Sequence, residues 1–265
     1  MQWENLTAPD FARAVQETGT CIMAFGVVER HSEHLPLGTD FLNGHRIASL
    51  AAEREPAVVF PPFYFGQINE ARCFPGTLTL KPTLLIELIQ SVFDEIGRNG
   101  FKKIILYNAH GGNGHLLPFL AQATLYEQKP YSLYLFNDAY SEAERIESDA
   151  ILETKLHAHA CECETSNTLA NFPELVKMEA VPAEPAEPLG RLQHLKGSYS
   201  GIWWYGNFPE HYAGDARTAS AEKGRRLVEI DVRALARFIA MVKADEVTPA
   251  LEREFFEREK GLRRG

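Results

Sequence analysis

The sequence predicts an α/β protein with a mostly parallel sheet and helices on both of its faces. Three observations carry this. Apolar runs of strand length stand at CIMAFGVV (21–28), AVVFPPF (57–63), KIILY (103–107) and residues 131–136. The runs are continuous rather than alternating, the mark of a strand covered on both sides. Segments with helical spacing separate them, and strands alternating with helices build parallel sheets.

Taken in order, residues 7–17 form a short helix with Pro9 in its first turn. The first apolar run then stops abruptly at Glu29, Arg30 and His31. A helix over 40–53 follows, and the strand over 57–63 is halted by Pro61 and Pro62. FPGTLTL (74–80) is a turn with a short extended piece. Residues 84–98 place apolar side chains at 85, 88, 89, 92 and 96, one face of a helix, and Asn99-Gly100 ends it. KIILY runs straight into NAHGGN. Further helices are predicted over 116–126, 159–170 and 222–242. The Pro- and Ala-rich stretch 179–190 is read as a long surface crossing within one domain spanning 1–265, because the chemistry precedes it and a helix that should pack on the sheet follows it. The charged tail from residue 251 is either a helix docked on a neighbouring subunit or a frayed end.

Lys plus Arg number 27 and Asp plus Glu 36, a net charge of -9. This acidic balance argues against nucleic-acid and anionic-membrane partners and leaves a small-molecule substrate open. No run approaches the roughly 20 apolar residues that span a bilayer. The N-terminus lacks a secretory pattern, and four cysteines make no disulfide framework, so free thiols in the cytoplasm are expected.

The chemistry-bearing residues cluster at strand ends. Glu29, His31 and Asp40 follow the first strand, and His110 follows the third. Parallel sheets gather ligands outside the carboxyl ends of their strands, so the two clusters should meet. Carboxylate oxygen with imidazole nitrogen suits zinc, manganese or iron rather than magnesium or calcium. Asp40, opening a helix, is placed to bridge two metals. A third cluster, HAHACECETS (157–166), leaves its geometry open. On a continuous helix His159, Glu162 and Cys163 share a face while Cys161 and Glu164 point elsewhere. Beside these stand blander readings. His157 is a surface residue, His34 and His45 are structural, Cys161 and Cys163 are packing residues, and Trp203-Trp204-Tyr205 fills a core or a subunit contact as readily as it forms a substrate lid.

GVVERHSEHLPLGTD resembles the first signature of the creatininase (creatinine amidohydrolase) family. FPGTLTL, GFKKIILYNAHGGN, HACECETS and GDARTASAEKG follow in that family's order, covering about residues 21–243. The resemblance implies a three-layer α/β/α sandwich, a homo-oligomer (often a hexamer), and one or two divalent metals hydrolysing a C–N bond of a small amide, cyclic amide or formamide through metal-activated water. Carried over, it implies Glu29, His31, Asp40, His110 and Glu164 as metal ligands and His159 as the proton carrier. Glu162 is the second candidate for the last carboxylate and a candidate catalytic residue. Gly111 and Gly112 replace an aromatic residue and a Glu, which marks an HGGN-type member and counts against creatinine as substrate. Arg30 and Ser32 stand for the usual Gln and Gly, and Cys161 and Cys163 for small Gly and Thr. Arg30, Gly111, Gly112, Trp204 and His211 are the candidate substrate contacts. Arg30 either meets an anionic or hydroxyl-rich substrate or is spent in a salt bridge. The backbone N–H groups of Gly111-Gly112 offer an oxyanion site. Two rival functions are a lactone or ketone-adjacent ring bond of a sugar or cyclitol cleaved at the same centre, and a non-catalytic binding protein on the same fold.

Overall fold

All four apolar runs enter one parallel sheet. The computed structural model describes residues 1–137 and 139–262. In chain order its elements are α1 (Ala8–Thr18), β1 (Thr20–Phe25), α2 (Thr39–Arg54), β2 (Val58–Val59), α3 (Pro82–Arg98), β3 (Lys103–Asn108), α4 (Leu116–Ala123), β4 (Ser132–Phe136), α5 (Glu142–Ile151), β5 (His157–His159), α6 (Glu162–Asn171), α7 (Trp203–Asn207), β6 (Ala213–Gly214), α8 (Ala221–Ala244) and α9 (Val247–Leu262). The sheet order is β2-β1-β3-β4, and every neighbour is parallel. β1 and β3 pair from Thr20↔Lys103 to Phe25↔Asn108, so both central strands end at the same level. A separate antiparallel pair joins β5 to β6.

Successive side chains on a strand face opposite ways, and the burial shows it. Ile22, Ala24, Ile105 and Tyr107 pack with Ile47, Ala48 and Ala51 of α2 and Val232, Leu235 and Ile239 of α8. Cys21, Met23, Phe25, Ile104 and Leu106 pack on the other side with Ala14 of α1, Leu85, Ile89 and Phe93 of α3 and Leu117 of α4. Each fully buried aliphatic contributes about 1.5–3 kcal/mol, so two cores share one sheet and the architecture is three-layered.

Several elements depart from expectation for local reasons. β2 is only two residues long, because Pro61 and Pro62 lack N–H donors. Beyond it a single bridge joins Phe25 to Phe63. The helix expected over 116–126 is α-helical to Ala123 and then tightens to a 3-10 turn. The helix expected over 159–170 begins at Glu162. His159 ends β5 and Ala160 takes a left-handed conformation (φ 51) between them. Residues 74–80 join no ladder, though the Leu78 N–H donates to the Val28 carbonyl at 2.9 Å. The stretch 179–190 bridges to β6 through Ala186 and Gly214. Trp203 to Asn207 forms one short helix. The tail forms α9 on its own chain, with Phe256 buried and Glu252 accepting from the Ser132 hydroxyl at 2.5 Å. Residues 263–265 lie outside the described residues.

Gly26 lets α2 reach the end of β1. A Cβ there would lie 2.3 Å from the Phe41 nitrogen, one residue from Asp40. Gly26→Ala is therefore expected to push the first turn of α2 outward, destabilising the fold by about 1–3 kcal/mol in urea unfolding. A variant with unchanged stability would contradict this account.

Candidate metal centre

The centre is built where β1 and β3 end. Glu29 and His31 lie on the loop after β1, which closes on itself through Glu29 N–H to the Leu37 carbonyl at 3.0 Å. Asp40 sits in the first turn of α2, where the helix N-terminus favours negative charge. His110 follows β3 by two residues. All four are at most 8% exposed, far too buried for charge to be left uncompensated.

The hydrogen bonds decide which ring nitrogens carry protons. His110 Nε2 is 2.9 Å from the Gln67 carbonyl, which can only accept, so Nε2 carries a hydrogen and Nδ1 is the nitrogen left for a metal, or for a second proton when none is bound. That nitrogen faces Glu29 Oε1 and Asp40 Oδ2, each 2.9 Å away. Both oxygens are buried and have no hydrogen-bond partner besides that nitrogen. His31 repeats the pattern. Its Nδ1 donates to the Glu29 carbonyl at 3.3 Å, and its Nε2 meets Asp40 Oδ1 at 2.9 Å with Glu164 Oε2 at 3.9 Å. Three overlapping sets of metal-capable side chains result among the described residues: Glu29, Asp40 and His110; His31, Asp40 and Glu164; and Glu29, His31 and His159. Asp40 offers one oxygen to each of the first two sets. Electron pairs converging in a dry site require a cation, and the donor set suits a divalent metal.

Protons fill that role when metal is absent. Burial opposes charge on His31, but Asp40, Glu29 and Glu164 outweigh it and raise its pKa to about 10. His110 is raised in the same way, against its burial, by Glu29 and Asp40. Burial lifts Glu164 to about 7, with His31 pulling the other way. His159 is held down to about 3, chiefly by burial and further by the His31 and His211 rings, against the pull of Glu29. It is therefore neutral at neutral pH. Its Nε2 hydrogen goes to the Arg30 carbonyl at 2.8 Å, and Nδ1 remains able to accept.

The third cluster resolves through the break before α6. Glu164, at the third position of that helix, turns back to accept from Ala160 N–H at 2.5 Å and joins the metal-capable set with His31 and Asp40. Glu162 points away. It is fully buried against Lys223 and accepts from Thr154 N–H (2.8 Å) and Thr154 Oγ1 (2.8 Å). Burial alone would raise its pKa, but Lys223 and these donors hold it down to about 2. The expectation of Glu162 as a catalytic residue or metal carboxylate is thereby corrected: it anchors the loop before β5 to α8. Lys223, from the last motif, carries no sign of this contact in sequence.

Arg30 takes the second of its two expected roles. Its guanidinium lies 4.5 Å over the Phe74 ring and pairs with Glu33 (2.6 Å) and Glu210 (3.6 Å). Only its carbonyl touches the centre, through His159. Gly111 and Gly112 line a cavity of about 1160 Å³ together with Gln67, Arg72, His115 and Trp203. A Cβ on Gly112 would lie 2.5 Å from His110 Nε2, so the glycine keeps the Gln67–His110 bond intact. Trp204 stands 6.0 Å from the His159 ring, centroid to centroid. His211 is buried with both ring nitrogens engaged, Nδ1 by Trp204 Nε1–H at 2.9 Å and Nε2 by Glu29 Oε2 at 2.5 Å. It has no free nitrogen for a substrate, which corrects its reading as a substrate contact. His34 bonds Thr165 Oγ1 at 2.9 Å, His45 approaches Glu4 at 3.5 Å, and His157 is exposed. Gln67 was invisible in the sequence because it acts through its backbone carbonyl.

Fold and site together define a metal-dependent hydrolase. Residues 4–239 match the family described as creatininase, creatinine amidohydrolase. The 3-dehydro-scyllo-inosose hydrolase of Thermotoga maritima is 28% identical over 86% of this chain and 78% of its own length. The creatinine amidohydrolase of Pseudomonas putida is 24% identical over 82% of this chain and 88% of its own. A manganese form of creatininase superposes with a TM-score of 0.77 at 22% identity, covering 92% of this chain and 99% of that one. A zinc–zinc form of a creatininase variant gives 0.76 at 22% identity over 92% and 98%. The chain belongs to the creatininase family, whose members are hydrolases acting on C–N bonds.

Metal loading must displace the protons on His31 and His110. Adding Zn²⁺ or Mn²⁺ to metal-free protein at pH 7.5–8 is expected to release about one to two protons per subunit, read with a pH indicator. The raised His31 pKa also stabilises the metal-free fold fully below its ordinary 6.5, and that contribution is lost as pH rises through about 10. Metal-loaded protein should lack this loss. Uptake without proton release would refute the protonation scheme.

Proposed function

We propose that this chain is a cytoplasmic, homo-oligomeric amidohydrolase of HGGN type, with Glu29, Asp40 and His110 holding one divalent metal and His31, Asp40 and Glu164 a second. The observation that carries it is the meeting of Glu29 Oε1, Asp40 Oδ2 and His110 Nδ1 in a buried site, where the two oxygens have no other hydrogen-bond partner. Zinc, manganese or iron fits the mixed oxygen and nitrogen set, and a cation there supplies Lewis acidity and activates water for attack on a carbonyl.

The chain's own residues supply the rest. Asp40 keeps the two ligand sets in register by offering an oxygen to each. His159, neutral and buried, accepts the proton of the attacking water at Nδ1 and returns it to the leaving nitrogen, so it serves first as base and then as acid. Its Nε2–H bond to the Arg30 carbonyl fixes the ring for both transfers. The Gly111-Gly112 backbone bounds the side where the carbonyl oxygen gains charge. The large adjoining cavity supports a substrate bigger than a bare small ring, and the replacement of an aromatic residue and a Glu by these glycines counts against creatinine.

A second reading places a ketone-adjacent ring bond of a cyclitol at the same centre. The similarity to the Thermotoga hydrolase favours it. Turnover of formamides and lactams against keto-cyclitols separates the two, and native mass gives the oligomeric state. His159→Ala is expected to retain metal by elemental analysis while losing turnover about 10²–10⁴-fold. Asp40→Ala should lose both metal and turnover. Full activity in both variants would end the proposal.

A further inference from the structure

We infer that His211 is a positioning residue for Glu29 and that Trp204 sets its tautomer. This rests on the metal-centre reading above and extends it. The indole Nε1–H of Trp204 can only donate, so His211 Nδ1, 2.9 Å away, must be the acceptor. The proton of the neutral ring then sits on Nε2, directed at Glu29 Oε2 at 2.5 Å. Glu29 Oε2 is thereby engaged, and Oε1 is left facing His110 Nδ1, where it would be free to hold a cation. One carboxylate oxygen is thus held by the protein, and the other would be left for a metal.

Two further features single this ring out. His211 is 2% exposed and holds φ at 53, a left-handed backbone that disfavours side chains bearing a Cβ. Such conformations persist where the surroundings over-determine them, and they concentrate at functional sites. The ring is also hemmed in by His159 at 4.3 Å and Phe74 at 5.6 Å between centroids, leaving one orientation that satisfies both nitrogens. Trp204 stands on α7 beside Trp203, which lines the large cavity. The chain Trp204–His211–Glu29 therefore joins the cavity wall to a metal ligand.

The test is metal affinity of the chelator-stripped full chain, with Mn²⁺ or Zn²⁺ alone, by competition with a chromophoric chelator. Trp204→Phe keeps the ring and removes only the donor. It should weaken binding about 3–10-fold with the melting temperature of the metal-free protein unchanged, since outer partners of metal ligands typically govern 10–100-fold in affinity. His211→Ala should cost about 10–100-fold. His211→Gln, whose amide N–H can replace Nε2–H, should recover most of that loss. Wild-type affinity in Trp204→Phe and His211→Ala would overturn the inference. So would His211→Gln no better than His211→Ala, or losses that merely follow melting temperature. Asp40→Asn is the control for the underlying reading. If it binds metal like the wild type, or the wild type binds none, the metal centre itself fails. If only Asp40→Asn loses metal, the role of His211 alone fails.

Discussion

Two buried carboxylates facing one nitrogen of a single imidazole are the constraint on which the rest of this molecule depends. Glu29 and Asp40 repel each other, and burial removes the water that would screen them. A positive charge between them is obligatory. The structure commits its surroundings to that outcome. The Gln67 carbonyl turns His110, the Glu29 carbonyl turns His31, and Gly26 and Gly112 allow backbone into space a side chain would close. The same charges explain the imidazole shifts. His31 and His110 lie between carboxylates and are raised, whereas burial, with the His31 and His211 rings, outweighs the pull of Glu29 on His159 and keeps it neutral. One electrostatic problem thus divides the histidines into two raised by carboxylates and one kept neutral.

The layers of the fold were legible because the strands are buried on both faces, which leaves continuous apolar runs that nothing else of that length produces. Element ends were less so. Pro61 and Pro62 shortened β2 more than its apolar content suggests, and the left-handed Ala160 delayed α6 by three residues. That delay matters, because a helix begun at His159 would have put Glu162 beside His159 on one face. Begun at Glu162, the helix sends Glu164 to His31 and Glu162 to Lys223. The residue types of the centre were readable from their position after strands, whereas the choice between two glutamates hung on a single backbone angle.

Partners contributed by the backbone left no trace in the sequence. Gln67, Arg30 and Ala160 touch the centre through a carbonyl or an N–H, so their side chains carry no signal. Trp204 and His211 were visible as an aromatic cluster near the site, but their role follows from which nitrogen faces which atom, a matter of tautomers that composition cannot express.

The ladder between β1 and β3 works as a gauge. With Phe25 locked opposite Asn108, the chain runs four residues further to Glu29 and two further to His110 before the two meet. These short overhangs leave no slack. Adding or deleting one residue between Phe25 and Glu29 would misalign the carboxylate by about 3.3 Å, more than a coordination bond, while leaving both cores untouched. Length variation in this protein is therefore tolerable in its outer loops and not in those few residues, however well the altered chain folds.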